Sequence, residues 1–152
     1  MPAGYTIPKP SPELERIKAL AGQWTGSSQE KGESKPVTIT YEVTSGGSAV
    51  VETIDPGTSH EMVSVYHDKG GKLTLDHYCM LGNEPELGLK ASTDGSIDLD
   101  MTPESHTLLV SQMHMHALSL AFGANELTET WTAWGPDGKP MDPCVFKLSK
   151  KS

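Results

Sequence analysis

Arginine is almost missing from this chain: Arg16 is the only one in 152 residues, and 12 basic residues face 20 acidic ones, for a net charge of −8. Nucleic-acid phosphates are bound by clustered lysine and arginine, so this acidic balance excludes nucleic acid as a partner. It also works against docking on an anionic membrane surface. Long apolar runs are lacking too, and nothing approaches the roughly 20 residues a membrane-spanning helix needs. Cysteine is scarce. Cys79 and Cys144 match no zinc or redox spacing and are too few for a disulfide framework. Two buried free thiols are expected, with a lone Cys79–Cys144 bridge as the alternative. The opening MPAGYTIPKPSPELERIKAL has no basic segment followed by an apolar one and so is no signal peptide. That assigns the chain to the cytoplasm, unless a leader has been removed.

What is present is turn punctuation. Residues 1–10 carry three prolines and read as an extended lead-in to a single domain over 11–149. SPELERIKALAG has the marks of a helix: Ser11 as N-cap, Pro12 in the first helical position and Glu13 in the first turn. Leu14, Ile17, Leu20 and Ala21 give it one apolar face, and Gly22 ends it. No later segment sustains a period of 3.6. Short alternating runs follow near 23–30, 36–44, 48–55, 60–68, 72–80, 86–91, 96–101, 107–120, 126–134 and 143–149. They are separated by SGG, DPGT, DKGG, TDGS, FGAN and GPDGKP, all turn compositions. One short N-terminal helix and about ten meandering strands predict an all-β fold, a single antiparallel up-and-down barrel.

The segment LAGQWTG places Gly22 and Trp24 at the start of the first strand, just after the helix. This Gly-x-Trp resembles the calycin superfamily of lipocalins and fatty-acid-binding proteins. The resemblance implies that Trp24 closes one end of the barrel. Lipocalins stack a C-terminal arginine on this tryptophan, and here Lys147 is the basic residue near that end. GGSAVVETI, HEMVSVYH, LTLDHYC and MHMH look like segments of a bacterial family of uncharacterised calycin-like domains. Membership implies the barrel and brings no established activity, so the residues must carry the functional reading.

Strand side chains alternate between faces, and the bulkier apolar set marks the buried one. In 112–122 Leu118, Leu120 and Phe122 occupy even positions, which predicts that His114 and His116 point inward with them. In 72–80 the odd set Leu73, Leu75, His77 and Cys79 faces in; in 126–134 it is Leu127, Glu129, Trp131 and Ala133. In 60–68 the odd set is Glu61, Val63, Val65 and His67. A two-residue turn at Gly123-Ala124 pairs Leu118 with Glu129 and brings His116 diagonally to Glu129. A three-residue loop Lys69-Gly70-Gly71 pairs Val63 with His77 and leaves Glu61 diagonal to His77.

A buried imidazole or carboxylate needs a partner, so these residues predict a polar-patched cavity for a small hydrophobic or amphipathic molecule. Trp131, Leu118 and Leu120 would be walls, and His77, His114 and His116 donors to a polar head, with Cys79, Glu61 and Glu129 near. A second reading makes His114 and His116 paired zinc ligands with His77 as the third and Glu129 or Glu61 as general base. A third uses a His–Glu pair for acid–base catalysis without metal. Haem held by one histidine is a fourth, though no residue singles out an axial ligand. A barrel filled by side chains, acting as a structural or interaction domain, is the remaining class. Tyr41, Tyr66 and Tyr78 carry no role beyond packing or a rim. Trp134, on the face opposite Trp131, is available for a homodimer contact.

Overall fold

A computed structural model describes residues 1–151. Alternation becomes ten strands: β1 (Gly22–Glu30), β2 (Glu33–Thr44), β3 (Ala49–Ile54), β4 (Met62–Lys69), β5 (Lys72–Tyr78), β6 (Glu86–Ser92), β7 (Ser96–Met101), β8 (His114–Gly123), β9 (Glu126–Trp134) and β10 (Cys144–Lys150). Each pairs antiparallel with its sequence neighbour, and β1 pairs β10 to close the barrel. Two of the ten expected strands differ materially. Residues 107–113 are not strand, and β4 begins only at Met62.

The seven-residue helix α1 (Pro12–Lys18) forms where its cap signals predict. Ser11 Oγ accepts from the Leu14 amide at 3.1 Å and donates to Asp68 Oδ1 at 2.7 Å, so the cap also pins the helix to β4. Leu14 and Ile17 are fully buried against one end of the barrel. Arg16 reaches the β6–β7 turn, donating to the Thr93 and Ser96 carbonyls at 2.8 and 3.3 Å, while its guanidinium lies 4.7 Å from the Phe122 ring centre. The sole arginine is thus a structural clamp. Trp24 is buried at the same end and donates its indole N–H to the Leu20 carbonyl at 2.8 Å. The cation above its ring is Lys150, at 5.8 Å, and not Lys147.

A second helix, α2 (Pro103–Leu109), follows β7 at the opposite end. Thr102 caps it by accepting from the Ser105 amide, Pro103 opens it, and Ser105 and Leu109 are buried. The reading of 107–120 as strand missed it, although Thr102-Pro103-Glu104 repeats the signature of Ser11-Pro12-Glu13.

At the β1–β10 seam the backbones approach closely. A Cβ placed on Gly26 would lie 1.8 Å from the Lys147 carbonyl oxygen. Gly26→Ala is therefore expected to lower the unfolding free energy by about 1–3 kcal/mol, the usual cost of forcing atoms into occupied space. Hydrogen exchange should speed up most at β1 and β10 amides, and at β4 and β5 by no more than the global loss accounts for. Equal protection throughout would show that the seam absorbs the methyl.

Candidate functional site

The end of the barrel opposite α1 holds an open cavity of about 180 Å³. Its wall includes His77, Trp131, Met62, Met113, Met115 and Cys144, with Glu30, Met141 and Asp142 at the solvent-exposed mouth. His77 and Trp131 come from β5 and β9, and their ring centres lie 4.7 Å apart. His77 is 1% exposed. Its Nδ1 is 2.8 Å from Ser64 Oγ, and its buried Nε2 has no protein partner. Burial alone lowers the imidazole from 6.5 to about 4, because an imidazolium there would lose its hydration with no anion in return. The ring is neutral at ordinary pH.

Beneath the cavity sits a buried polar cluster. Trp131 donates its indole N–H to Glu129 Oε1 at 3.0 Å, and Tyr41 donates its hydroxyl to Glu129 Oε2 at 2.5 Å. Tyr66 donates to Glu52 Oε1 at 2.8 Å, while Glu52 Oε2 has no well-aligned partner. Both carboxyls are wholly buried. Register explains the assembly: Tyr41, Glu52, Ser64 and His77 are successive partners across β2 to β5, all on the inner face. Burial first, then the charge of Glu129, holds Glu52 well above the ordinary carboxylate range. Burial and the two carboxylates likewise raise Tyr41 and Tyr66, keeping both phenols protonated as donors.

Of the nine sequence-predicted ligand residues, His77 and Trp131 line the cavity. Leu118 and Leu120 are inner-face core, paired with Trp131 and Glu129. The turn is Ala124-Asn125 and not Gly123-Ala124, which shifts the expected pairing by two residues but keeps its parity. Glu61 is a correction. It precedes β4, is exposed and accepts the Gly57 amide at 2.6 Å. The inner face of β4 is the even one, with Ser64 and Tyr66 buried, because the turn is the two-residue Gly70-Gly71 that pairs Ser64 with His77. Cys79 lies past the end of β5, its amide bonded to the Asn83 carbonyl, and does not reach the cavity.

His114 and His116 are the larger correction. A β-bulge falls between Met115 and Ala117. It switches the inward parity of β8 from odd, where Met115 faces the cavity beside Ala133, to even, where Leu118 meets Trp131. Both histidines therefore lie on the outer face. There His114 Nε2 and His116 Nδ1 are 3.0 Å apart, and His116 stacks on Trp134 with ring centres 3.8 Å apart. Asp100 Oδ1 approaches His116 at 3.7 Å, and His106 of α2 stands edge-on at 5.9 Å. Burial lowers the His116 pKa first, Asp100 opposes that, and the two other histidines reinforce it. The His114–His116–His77 zinc set is not assembled, since two members are outside the barrel and one is inside. Neither expected His–Glu pair forms. Among the described residues no group of three or more His, Cys, Asp or Glu is placed to hold a metal ion.

Sequence reasoning missed Glu52 and the cavity methionines and gave Tyr41 and Tyr66 only packing roles. A signal existed for Glu52: in AVVETI, Val50, Glu52 and Ile54 share one parity. The cysteines are both free and half-buried. Burial raises the Cys144 thiol, and Ser28 Oγ, 3.4 Å from its sulfur, works against that.

No protein-family model and no curated protein sequence matches the chain. Among the solved structures that share the fold are the following two. Rv2717c from M. tuberculosis is 14% identical with a TM-score of 0.66, covering 95% of this chain and 100% of that one. A protein with unknown function from the DUF3598 family of Nostoc punctiforme PCC 73102 is 10% identical with a TM-score of 0.64. That match covers 98% of this chain and 53% of the Nostoc chain. At such identity the likeness is one of fold alone. Within the described residues no helix is long and apolar enough to cross a membrane.

Proposed function

We propose that this barrel, of the calycin kind suggested by Gly22 and Trp24, binds a small and mainly apolar molecule in the cavity bordered by His77 and Trp131. One observation carries the reading: the barrel is plugged by α1 at one end, yet at the other it leaves about 180 Å³ open between apolar walls. A cavity of ~150 Å³ lined by aliphatic and aromatic side chains suffices for a benzene. Pockets for drug-sized ligands run from roughly 300 Å³ upward, so the occupant is smaller than those. Thioether side chains adapt their shape to a guest and make favourable contacts with aromatic rings, which suits a wall of methionines.

Methyl-labelled methionine offers a direct test. On titration with benzene, the methyl signals of Met62, Met113, Met115 and Met141 should move together and saturate. Met1, Met80 and Met101, which lie outside the cavity wall, should stay in place. Equal shifts at all seven methionines, or none, would sink the proposal.

A further inference from the structure

The geometry points to a neutral, planar ligand that carries one hydrogen-bond acceptor, received by the Nε2–H of His77; this rests on the cavity reading above. Hydrogen-bond accounting at the Ser64–His77 pair sets the tautomer. Ser64 is wholly buried, and its hydroxyl has His77 Nδ1 as its sole side-chain or backbone partner, at 2.8 Å. If Nδ1 carried the proton, the serine hydrogen and the Nε2 lone pair would both be buried without partners. If the serine donates to Nδ1, only the Nε2–H is left over. Each buried polar group without a partner costs about 1–3 kcal/mol, so the second arrangement prevails. His77, whose ring borders the cavity, then holds a donor and no acceptor at Nε2. That atom is closed off in this structure, and the adaptable thioethers beside it must shift for a ligand to reach it.

Charge sets the second requirement. Glu30 and Asp142 stand at the mouth, no Lys or Arg lines the cavity, and the chain as a whole carries −8. An anion entering would lose its hydration and find only a neutral imidazole. The carboxylates of the lining, Glu30 and Asp142, stand at the solvent-exposed mouth, so a cation that moved in to His77 would leave them and find no acceptor there. The ligand that reaches His77 is neutral. Planarity follows from the neighbours: the Trp131 ring lies 4.7 Å from the imidazole, and thioethers of Met62 and Met115 line the same space. Such walls favour a flat, polarisable body.

Four probes of similar size, followed through the methionine methyl signals, separate these claims. Acetophenone is neutral with one acceptor, ethylbenzene has no polar group, indole offers a donor alone and benzoate is an anion. Acetophenone should bind at least tenfold more tightly than ethylbenzene and indole, and benzoate should not bind. In His77→Leu that advantage should shrink to within about twofold while ethylbenzene still binds, which shows that the variant keeps its cavity. Imidazole ¹⁵N shifts of the wild-type protein should report the Nε2–H tautomer. Ethylbenzene binding as well as acetophenone would overturn the acceptor claim, as would a buried water alone satisfying His77, and leave the cavity reading standing. Indole binding best would overturn the tautomer, and benzoate binding best the charge argument. Failure of all four probes to move the four methyls would remove the cavity reading itself.

Discussion

Glu129→Ala is expected to lower the unfolding free energy by about 2–5 kcal/mol, since each buried donor left without an acceptor costs about 1–3 kcal/mol. Two donors lose their acceptor at once. The Tyr41 hydroxyl and the Trp131 indole N–H both end on Glu129, and all three side chains are buried. Glu52 also stands within hydrogen-bonding reach of Tyr41, whereas the Trp131 indole N–H has Glu129 as its one side-chain partner. Folded domains have only about 5–15 kcal/mol to spare, so the variant stands near the limit of folding. Glu129→Gln retains one acceptor oxygen and should lose less than half as much. Urea unfolding of both variants decides this. A Glu129→Ala protein within about 1 kcal/mol of wild type would mean that water replaces the carboxylate, and the cluster would then carry no structural weight.

The second large effect is a pH dependence with two opposing arms. His77 holds a pKa of about 4 in the folded protein, below the 6.5 it has when exposed. As pH falls from about 6.5 to 4, the unfolded chain gains a proton that the folded one refuses, and stability drops by about 3 kcal/mol over that window. Glu52 runs the other way. Its folded pKa is raised, so the unfolded chain releases a proton above the ordinary 4.5 while the folded chain keeps it. Its contribution is present below that value and is lost as pH rises towards the folded pKa, at about 1.4 kcal/mol per pH unit. Between about pH 4.5 and 6.5 the two slopes offset each other; above that, Glu52 alone remains.

Difference curves isolate each group. Glu52→Gln keeps an acceptor for Tyr66 and places a neutral amide where the acid stood. Relative to wild type it should gain stability steadily with pH above about 4.5. His77→Leu should gain relative stability as pH falls below about 6.5. The quantity read is the slope of the difference, so a constant packing offset from either substitution leaves it intact. A flat Glu52→Gln difference from pH 5 to 8 would show that Glu52 ionises normally inside the barrel.

The two histidines of MHMH show how local a parity argument is. Alternation assigns faces only while the pairing runs without interruption, and one inserted residue reverses it. The reversal was written in the residues: Met113 and Met115 put apolar bulk on odd positions, Leu118 and Leu120 on even ones. A switch of that kind within one strand marks a bulge. The clean alternation of β9, by contrast, placed Glu129 and Trp131 on the inner face as expected. Parity in β4 failed for a different reason. Ser64 is small and polar, so the valines outweighed the face that Tyr66 and Ser64 bury. The loss of Glu61 from the site follows from that, and Glu52 takes the inward carboxyl position from the neighbouring strand.

The succession of strands and the capped N-terminal helix were present in the sequence, while the sealing of one end by Trp24 was implied by the calycin resemblance. Strands and helix depend on short-range physics: caps, turn residues and the period-two pattern repeat within a few residues of one another. Which polar groups meet was decided by the tertiary structure. Tyr41 and Glu129 are 88 residues apart, and their contact exists only because β1 and β10 close the barrel and bring β2 across from β9. The open cavity has the same origin. It is the volume left where α1 fills one end and the side chains of the other end do not meet, a remainder of packing that no local pattern records.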